Sequence, residues 1–184
     1  MAVHGYGKIL DVDLSTGKFS QKDIDPQFAR QYLGGMGFSS RILYDEVGAA
    51  VDPLSSENIV IFANGPLTGT QAPGTGRTEI TAKSPLTGIV GSGNTGGVWG
   101  AKLKHAGFDL IVVRGAADKP VYLWINDDRV ELRKASHKIG PIANASITEA
   151  FNRAMDHCRK NTKVAFIPYA RYTIIKTGNG EKHL

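Results

Sequence analysis

The chain has 184 residues, 41% of them apolar, which suffices for one domain with a real core and is too apolar for a disordered or fibrous protein. Its formal charge of +5 is uneven: residues 1–133 carry 13 Lys and Arg against 14 Asp and Glu, residues 134–184 nine against three. The basic excess thus belongs to the tail and gives the main body no nucleic-acid face, while the lack of any 18-residue apolar run or apolar N-terminal stretch predicts no membrane association and a cytoplasmic location.

Gly7–Leu14 alternates apolar and polar residues into Ser15-Thr16-Gly17-Lys18, and with Lys18–Gln21 returning it predicts an opening hairpin. Asp25-Pro26 is a helix start, Asp as cap and Pro at the first helical position, with Phe28, Ala29, Tyr32 and Leu33 following at helical spacing. Gly34-Gly35-Met36-Gly37 interrupts, and a second helix is expected over about Phe38–Val47, with Ile42, Leu43 and Val47 on one face. Val51–Ser55 is a turn-rich connector, and Asn58–Asn64 reads as a buried strand.

Ala63–Gly107 follows, the stretch on which the chain is centred. It holds 11 of the 22 glycines and two copies of Pro-Leu-Thr-Gly, Pro66–Gly69 and Pro85–Gly88. Glycine at this density marks sharp turns or a backbone brought close to a ligand. Arg77–Lys83 alternates as a strand, placing Arg77 where a turn becomes a strand, and Ile89-Val90 is a short strand candidate. A short helix is expected over Gly97–His105, entered through Asn94-Thr95-Gly96-Gly97 with outward N–H groups. Amides there and the Arg77 guanidinium suit a phosphate-bearing ligand, although structural turns alone would also account for the glycines. Gly91-x-Gly93-x-x-Gly96 matches a dinucleotide spacing only formally, after too short a strand, and no Gly-Lys-Ser/Thr phosphate loop is present.

Leu110–Arg114 and Val121–Asn126 are strands, and Asp127-Asp128 is a tight turn into Val130–Arg133. Ser146–Glu149 matches a capping box ahead of Ile147, Phe151, Ala154, Met155 and Cys158 at helical spacing. Cys158 is the chain's one cysteine, which excludes an intramolecular disulfide and, by itself, a Cys-ligated iron–sulfur cluster. Lys163–Ile167 and Tyr172–Ile175 are further strand candidates. His4, His105, His137, His157 and His183 show no metal spacing. Strands outnumber helices without alternating with them, so the fold class expected is α+β, a β-rich domain of two packed mixed or antiparallel sheets with a few short helices.

Taken in order, GKILDVDLSTG (Gly7–Gly17), YLGGMGF (Tyr32–Phe38), GPLTGTQAPGTGR (Gly65–Arg77), KSPLTG (Lys83–Gly88), GNTGGVWGAKLKHAGFDLIVVRG (Gly93–Gly115) and KPVYLWI (Lys119–Ile125) resemble the N-terminal domain of the tungsten-dependent aldehyde ferredoxin oxidoreductase family. The resemblance runs from about Tyr6 to His137, implying a cofactor-floor domain over 1–137 and a helix–strand extension with a divergent basic tail over 138–184. It implies a tungsten bis-pterin cofactor lying on the domain, oxidation of an aldehyde to a carboxylic acid, and electrons leaving through a [4Fe–4S] cluster to ferredoxin. On the matching motifs the pterin contacts are Arg77, Asn94 and Gly96, with Thr95, Gly97 and Lys83 as neighbouring candidates. The family's cluster cysteines and catalytic carboxylate and histidine belong to later domains, so no catalytic or metal-ligating residue is expected here and the chain alone should be inactive. The full-length form is expected to be a homo-oligomer. Met36 stands where the family often has a basic residue. Two other readings remain: a non-catalytic subunit or assembly module docking through its basic tail onto a catalytic or iron–sulfur subunit, and a tungsten aromatic acyl-CoA reductase of the same family.

Overall fold

The computed structural model describes residues 5–134 and the strand Ala165–Phe166. The expected helix after Ser146, with Cys158, and the strand candidate Tyr172–Ile175 lie outside the described residues, as do His4, His137, His157 and His183. The chain divides into two compact units, Met1–Asp118 and Lys119–Leu184.

The first unit is built on a six-stranded sheet of order β2-β1-β6-β3-β4-β5. The opening hairpin forms as the alternation predicts: β1 (Lys8–Asp13) and β2 (Lys18–Asp23) pair antiparallel around a turn in which the Asp13 carboxylate accepts from the Ser15 N–H at 2.8 Å. Helix α1 (Pro26–Tyr32) starts on Asp25, whose carboxylate accepts from the N–H groups of Gln27 and Phe28, both at 2.9 Å. Leu33 and two glycines turn the chain into α2 (Met36–Glu46). The sheet continues with β3 (Val60–Asn64), β4 (Thr78–Lys83) and β5 (Val90–Thr95), then α3 (Trp99–His105) and β6 (Phe108–Arg114). Only the β1–β6 pair is parallel, so the sheet is mixed.

Strand β6 lies between β1 and β3 and is buried along Phe108–Val113, the continuous apolar pattern of a strand covered on both faces. Leu110 and Val112 join Ile61, Ala63, Phe38 and Leu43 in the core on the α1–α2 face, where the Phe28 and Phe38 rings stack at 4.7 Å. On the opposite face α3 packs Trp99 on Phe62, ring centroids 5.6 Å apart. Asp109, fully buried in this strand, accepts from the Lys104 ammonium and the Gly7 N–H, both at 2.5 Å, which satisfies a charge that would otherwise be costly to bury. Arg114 forks onto Asp11 at 2.8 Å and also pairs with Glu46, tying the end of α2 to the sheet. The hydrogen bonds it donates to Asp11 and then to Glu46 raise its pKa further, and it stays cationic.

The second unit holds a three-stranded antiparallel sheet of order β8-β7-β9, formed by β7 (Val121–Asn126), β8 (Arg129–Lys134) and β9 (Ala165–Phe166). The β7–β8 turn runs through Asp127 at φ 54° and Asp128, as the sequence predicts. Arg133 stacks over the Trp124 ring at 4.0 Å while its Nε donates to Glu131. Among the described residues, a mixed sheet, an antiparallel sheet and three short helices make this an α+β fold, as expected.

One element differs from expectation. Asn94 and Thr95 are not a helix entry: β5 runs through them, held by six successive pairings with β4 from Lys83↔Val90 to Thr78↔Thr95. Val-Gly-Ser-Gly-Asn-Thr has poor intrinsic strand preference, and the ladder supplies what propensity does not. Helix α3 therefore begins at Trp99, and its seven residues carry no side-chain cap.

Candidate functional site

Strand alternation puts Glu79, Thr81 and Lys83 on one face of β4, the face that receives α2, and Arg77, just before the strand, reaches Asn94 beside Glu79. Helix α2 runs alongside. Its first residues lie near Glu79, Ser39 bonds Thr81 at 2.6 Å, and the segment beyond its C-terminus reaches Lys83. At the α2 N-terminal end the sheet opens into a cleft of about 440 Å³ lined by Gly35, Met36, Ala63, Gly65, Arg77, Glu79 and Asn94. Its floor is a cross-strand row, since Ala63 pairs with Glu79 and Glu79 with Asn94.

A buried polar network holds this end together. Thr78 donates to Asn64 Oδ1 at 2.7 Å, the Asn64 amide donates to the Gly100 carbonyl at 3.0 Å, and the Asn64 carbonyl accepts from the Gly35 N–H at 2.9 Å. Three elements, β3, β4 and α3, and the start of α2 thus meet at one asparagine. Gly100 is required by the closeness of that junction, because a Cβ there would lie 2.3 Å from Thr78 Oγ1 and 2.8 Å from Asn64 Oδ1. The Thr68 hydroxyl accepts from the Gly65 N–H at 3.2 Å and reaches the Arg77 carbonyl at 3.5 Å, fixing the loop that delivers Arg77.

Arg77 is exposed, and its guanidinium donates through Nη1 to Asn94 Oδ1 across the β4–β5 pair. Among the described residues, the Asn94 Nδ2 group and the other guanidinium N–H groups have no protein partner. Gly96 follows β5 without a positive φ, and a Cβ added there would meet nothing within 4 Å, so neither backbone conformation nor protein packing asks for glycine there. Gly97, at φ 84°, is a turn glycine, and its carbonyl lies 3.3 Å from where a Cβ of Gly76 would stand, next to Arg77.

Of the six residues expected at a ligand site, Arg77 and Asn94 come together in the cleft, and Gly96 and Gly97 flank it. Thr95 pairs with Thr78 and by alternation belongs to the opposite face from Asn94. Lys83 is not brought to the others. Six residues from Arg77, roughly 20 Å along the strand, it is buried, and its ammonium donates to the carbonyls of Gly48 at 3.2 Å, Ala49 at 2.7 Å and Val51 at 2.7 Å. Those bonds occupy all three N–H donors and make it a fastener of the α2 exit.

The structure adds Glu79, Gly35, Met36, Ala63 and Gly65 to the site. Glu79 was within reach of the sequence, two residues after Arg77 on a predicted strand. Gly35 and Met36 belong to the Tyr32–Phe38 block that the sequence singles out, but nothing local places that block, about 40 residues earlier, against Arg77. Among the described residues no three His, Cys, Asp or Glu side chains gather into a metal-holding group, and no helix is long and apolar enough to cross a membrane.

The family model described as aldehyde ferredoxin oxidoreductase, N-terminal domain, matches residues 9–173. The tungsten-containing aldehyde ferredoxin oxidoreductase of Pyrococcus furiosus is 44% identical over 171 residues, which are 93% of this chain and 28% of that protein. The WOR-like subunit of an aliphatic sulfonate oxidoreductase from the same organism is 37% identical over 166 residues, 88% of this chain and 26% of that one. Among solved structures, the active-site complex BamBC of benzoyl coenzyme A reductase with 1,5-dienoyl-CoA superposes with a TM-score of 0.77 at 39% identity, covering 88% of this chain and 24% of that chain. The chain thus spans between a quarter and a third of the length of these two P. furiosus relatives.

Proposed function

The chain belongs to the aldehyde ferredoxin oxidoreductase family, as its N-terminal domain, and from that premise we propose that its cleft holds one edge of a tungsten bis-pterin cofactor. The observation that carries the reading is the conjunction at one end of the sheet of an exposed guanidinium, an amide with a free donor and the bare Cα of Gly96 facing open space. Arg77 pairs bidentately with a pterin phosphate, the Asn94 amide meets a ring edge, and Gly96 and Gly97 let the ligand lie against the backbone. The pairing of the Arg77 guanidinium with Asn94 sets its direction before the ligand arrives, which lowers the ordering cost of binding.

When bound, the tungsten centre supplies the oxo transfer and the two-electron change of the reaction. This chain's part is to bind, orient and shield one side of it. The reaction served is oxidation of an aldehyde to a carboxylic acid, with electrons passing by a [4Fe–4S] cluster to ferredoxin. The cluster and the catalytic groups come from protein outside the described cleft. Likeness to the benzoyl coenzyme A reductase complex supports a second reading, reduction of an aromatic acyl-CoA over the same cofactor floor.

The reading is tested on the full chain in its native assembly, isolated from cells supplied with tungstate, by measuring tungsten and the fluorescent oxidised pterin per chain. Arg77→Ala is expected to lower both by about tenfold or more, the worth of one charge-assisted bidentate contact. Equal tungsten and pterin in the two proteins would sink it.

A further inference from the structure

Glu79 has no place in the reading above. It lies in the cleft two residues from Arg77, directly opposite Asn94 on β5 and Ala63 on β3. Among the described residues its carboxylate makes no hydrogen bond or ion pair, and Arg77 is turned to Asn94 instead. A half-buried carboxylate left without a donor in a cleft where its neighbours are engaged is a site waiting for donors from a ligand.

The donor pattern is specific. A carboxylate is acceptor-only and binds two parallel N–H groups best, as it does with a guanidinium. The neighbouring Asn94 amide, its oxygen taken by Arg77, presents N–H groups. Side by side on adjacent strands, about 5 Å apart at Cβ, the two therefore present an acceptor next to a donor. A pterin ring carries the complement on one edge: the 4-oxo group accepts, and N3–H and the 2-amino group donate in parallel. The geometry points to Glu79 as the residue that selects the pterin ring, receiving N3–H and the 2-amino group while Asn94 donates to the 4-oxo oxygen. This rests on the pterin reading and adds to it, since Arg77 recognises the phosphate that many ligands carry and Glu79 the ring that few do.

The test uses two fluorescent probes on the full 184-residue chain: neopterin monophosphate, and its lumazine counterpart, in which an oxo group replaces the 2-amino group. The lumazine turns one donor into an acceptor facing the carboxylate, so the wild-type chain is expected to prefer the pterin by about tenfold or more. Glu79→Gln, which can rotate its own N–H groups toward the new oxo group, should bring that preference close to one, and Glu79→Asp should restore part of it. Thermal unfolding of each variant shows whether the fold is intact. Arg77→Ala should weaken both probes about equally and leave the preference in place. Retention of the full preference by Glu79→Gln overturns the assignment of Glu79 alone. Unchanged affinity for both probes in Arg77→Ala, or no binding of either by the wild-type chain, overturns the cofactor reading beneath it.

Discussion

The two ends of β4 present the same ingredients and opposite outcomes. Each has a basic residue, Arg77 at one end and Lys83 at the other, and each adjoins a Pro-Leu-Thr-Gly turn. At the Lys83 end every N–H of the ammonium is spent on the carbonyls of Gly48, Ala49 and Val51. At the Arg77 end, among the described residues, the exposed guanidinium bonds only Asn94, the Glu79 carboxylate stands unpaired, and a Cβ at Gly96 would meet nothing within 4 Å. The turns divide the other way: Thr68 of the first copy is buried and bonded to the Arg77 loop, whereas Leu86 of the second is 91% exposed. The proposed binding end is thus the one whose cleft-facing groups are left without protein partners, and residue type alone does not reveal which end that is.

Breaking the closed end should cost most. Lys83→Met removes the donor to three carbonyls, and a loss of about 3 kcal/mol is expected in chemical unfolding of the first unit. The same variant should bind neopterin monophosphate as tightly as wild type. A large loss of affinity with unchanged stability would reverse the roles assigned to the two ends.

Gly100→Ala strikes the scaffold of the open end. The new methyl would have to displace the Thr78–Asn64 hydrogen bond, at a cost of about 2 kcal/mol. Because Asn64 also holds the Gly35 N–H, this variant should lose stability and ligand affinity together, unlike Lys83→Met. Arg77→Ala completes the set. Its side chain is exposed and anchors nothing but Asn94, so stability should stay within about 0.5 kcal/mol of wild type while affinity for the phosphorylated probe falls by about ten- to a hundredfold.

What the sequence revealed tracks the range of the forces involved. The Asp25 cap, the opening hairpin and the apolar run of β6 are local and were legible. The extension of β5 through Gly91–Thr95 was not, because it is held by register with β4 rather than by its own propensity. The fate of Lys83 depends on carbonyls more than 30 residues away, which no motif announces. Arg77 and Asn94 were found as a pair because the family blocks carry them; Glu79 needed only the alternation of Arg-Thr-Glu-Ile-Thr-Ala-Lys to be placed beside Arg77.

The smallest expected effect separates the two identical tetrapeptides. Thr68 is buried, and its hydroxyl accepts from the Gly65 N–H and reaches the Arg77 carbonyl, so Thr68→Ala leaves a part-buried amide without its partner and should cost about 1–2 kcal/mol. The Thr87 hydroxyl, at the same place in the second copy, is exposed and meets only the Ile89 N–H at 3.5 Å, so Thr87→Ala should fall within about 0.5 kcal/mol of wild type. Thermal unfolding of the two variants side by side reads the difference. Equal losses would mean that the tetrapeptide stabilises its own turn wherever it occurs; a loss confined to Thr68 means that the turn shape is cheap and that the first copy matters because it presents Arg77. Thr68→Ser should separate hydroxyl from methyl, since it keeps the hydrogen bonds and should recover most of the stability if they are what holds the Arg77 loop.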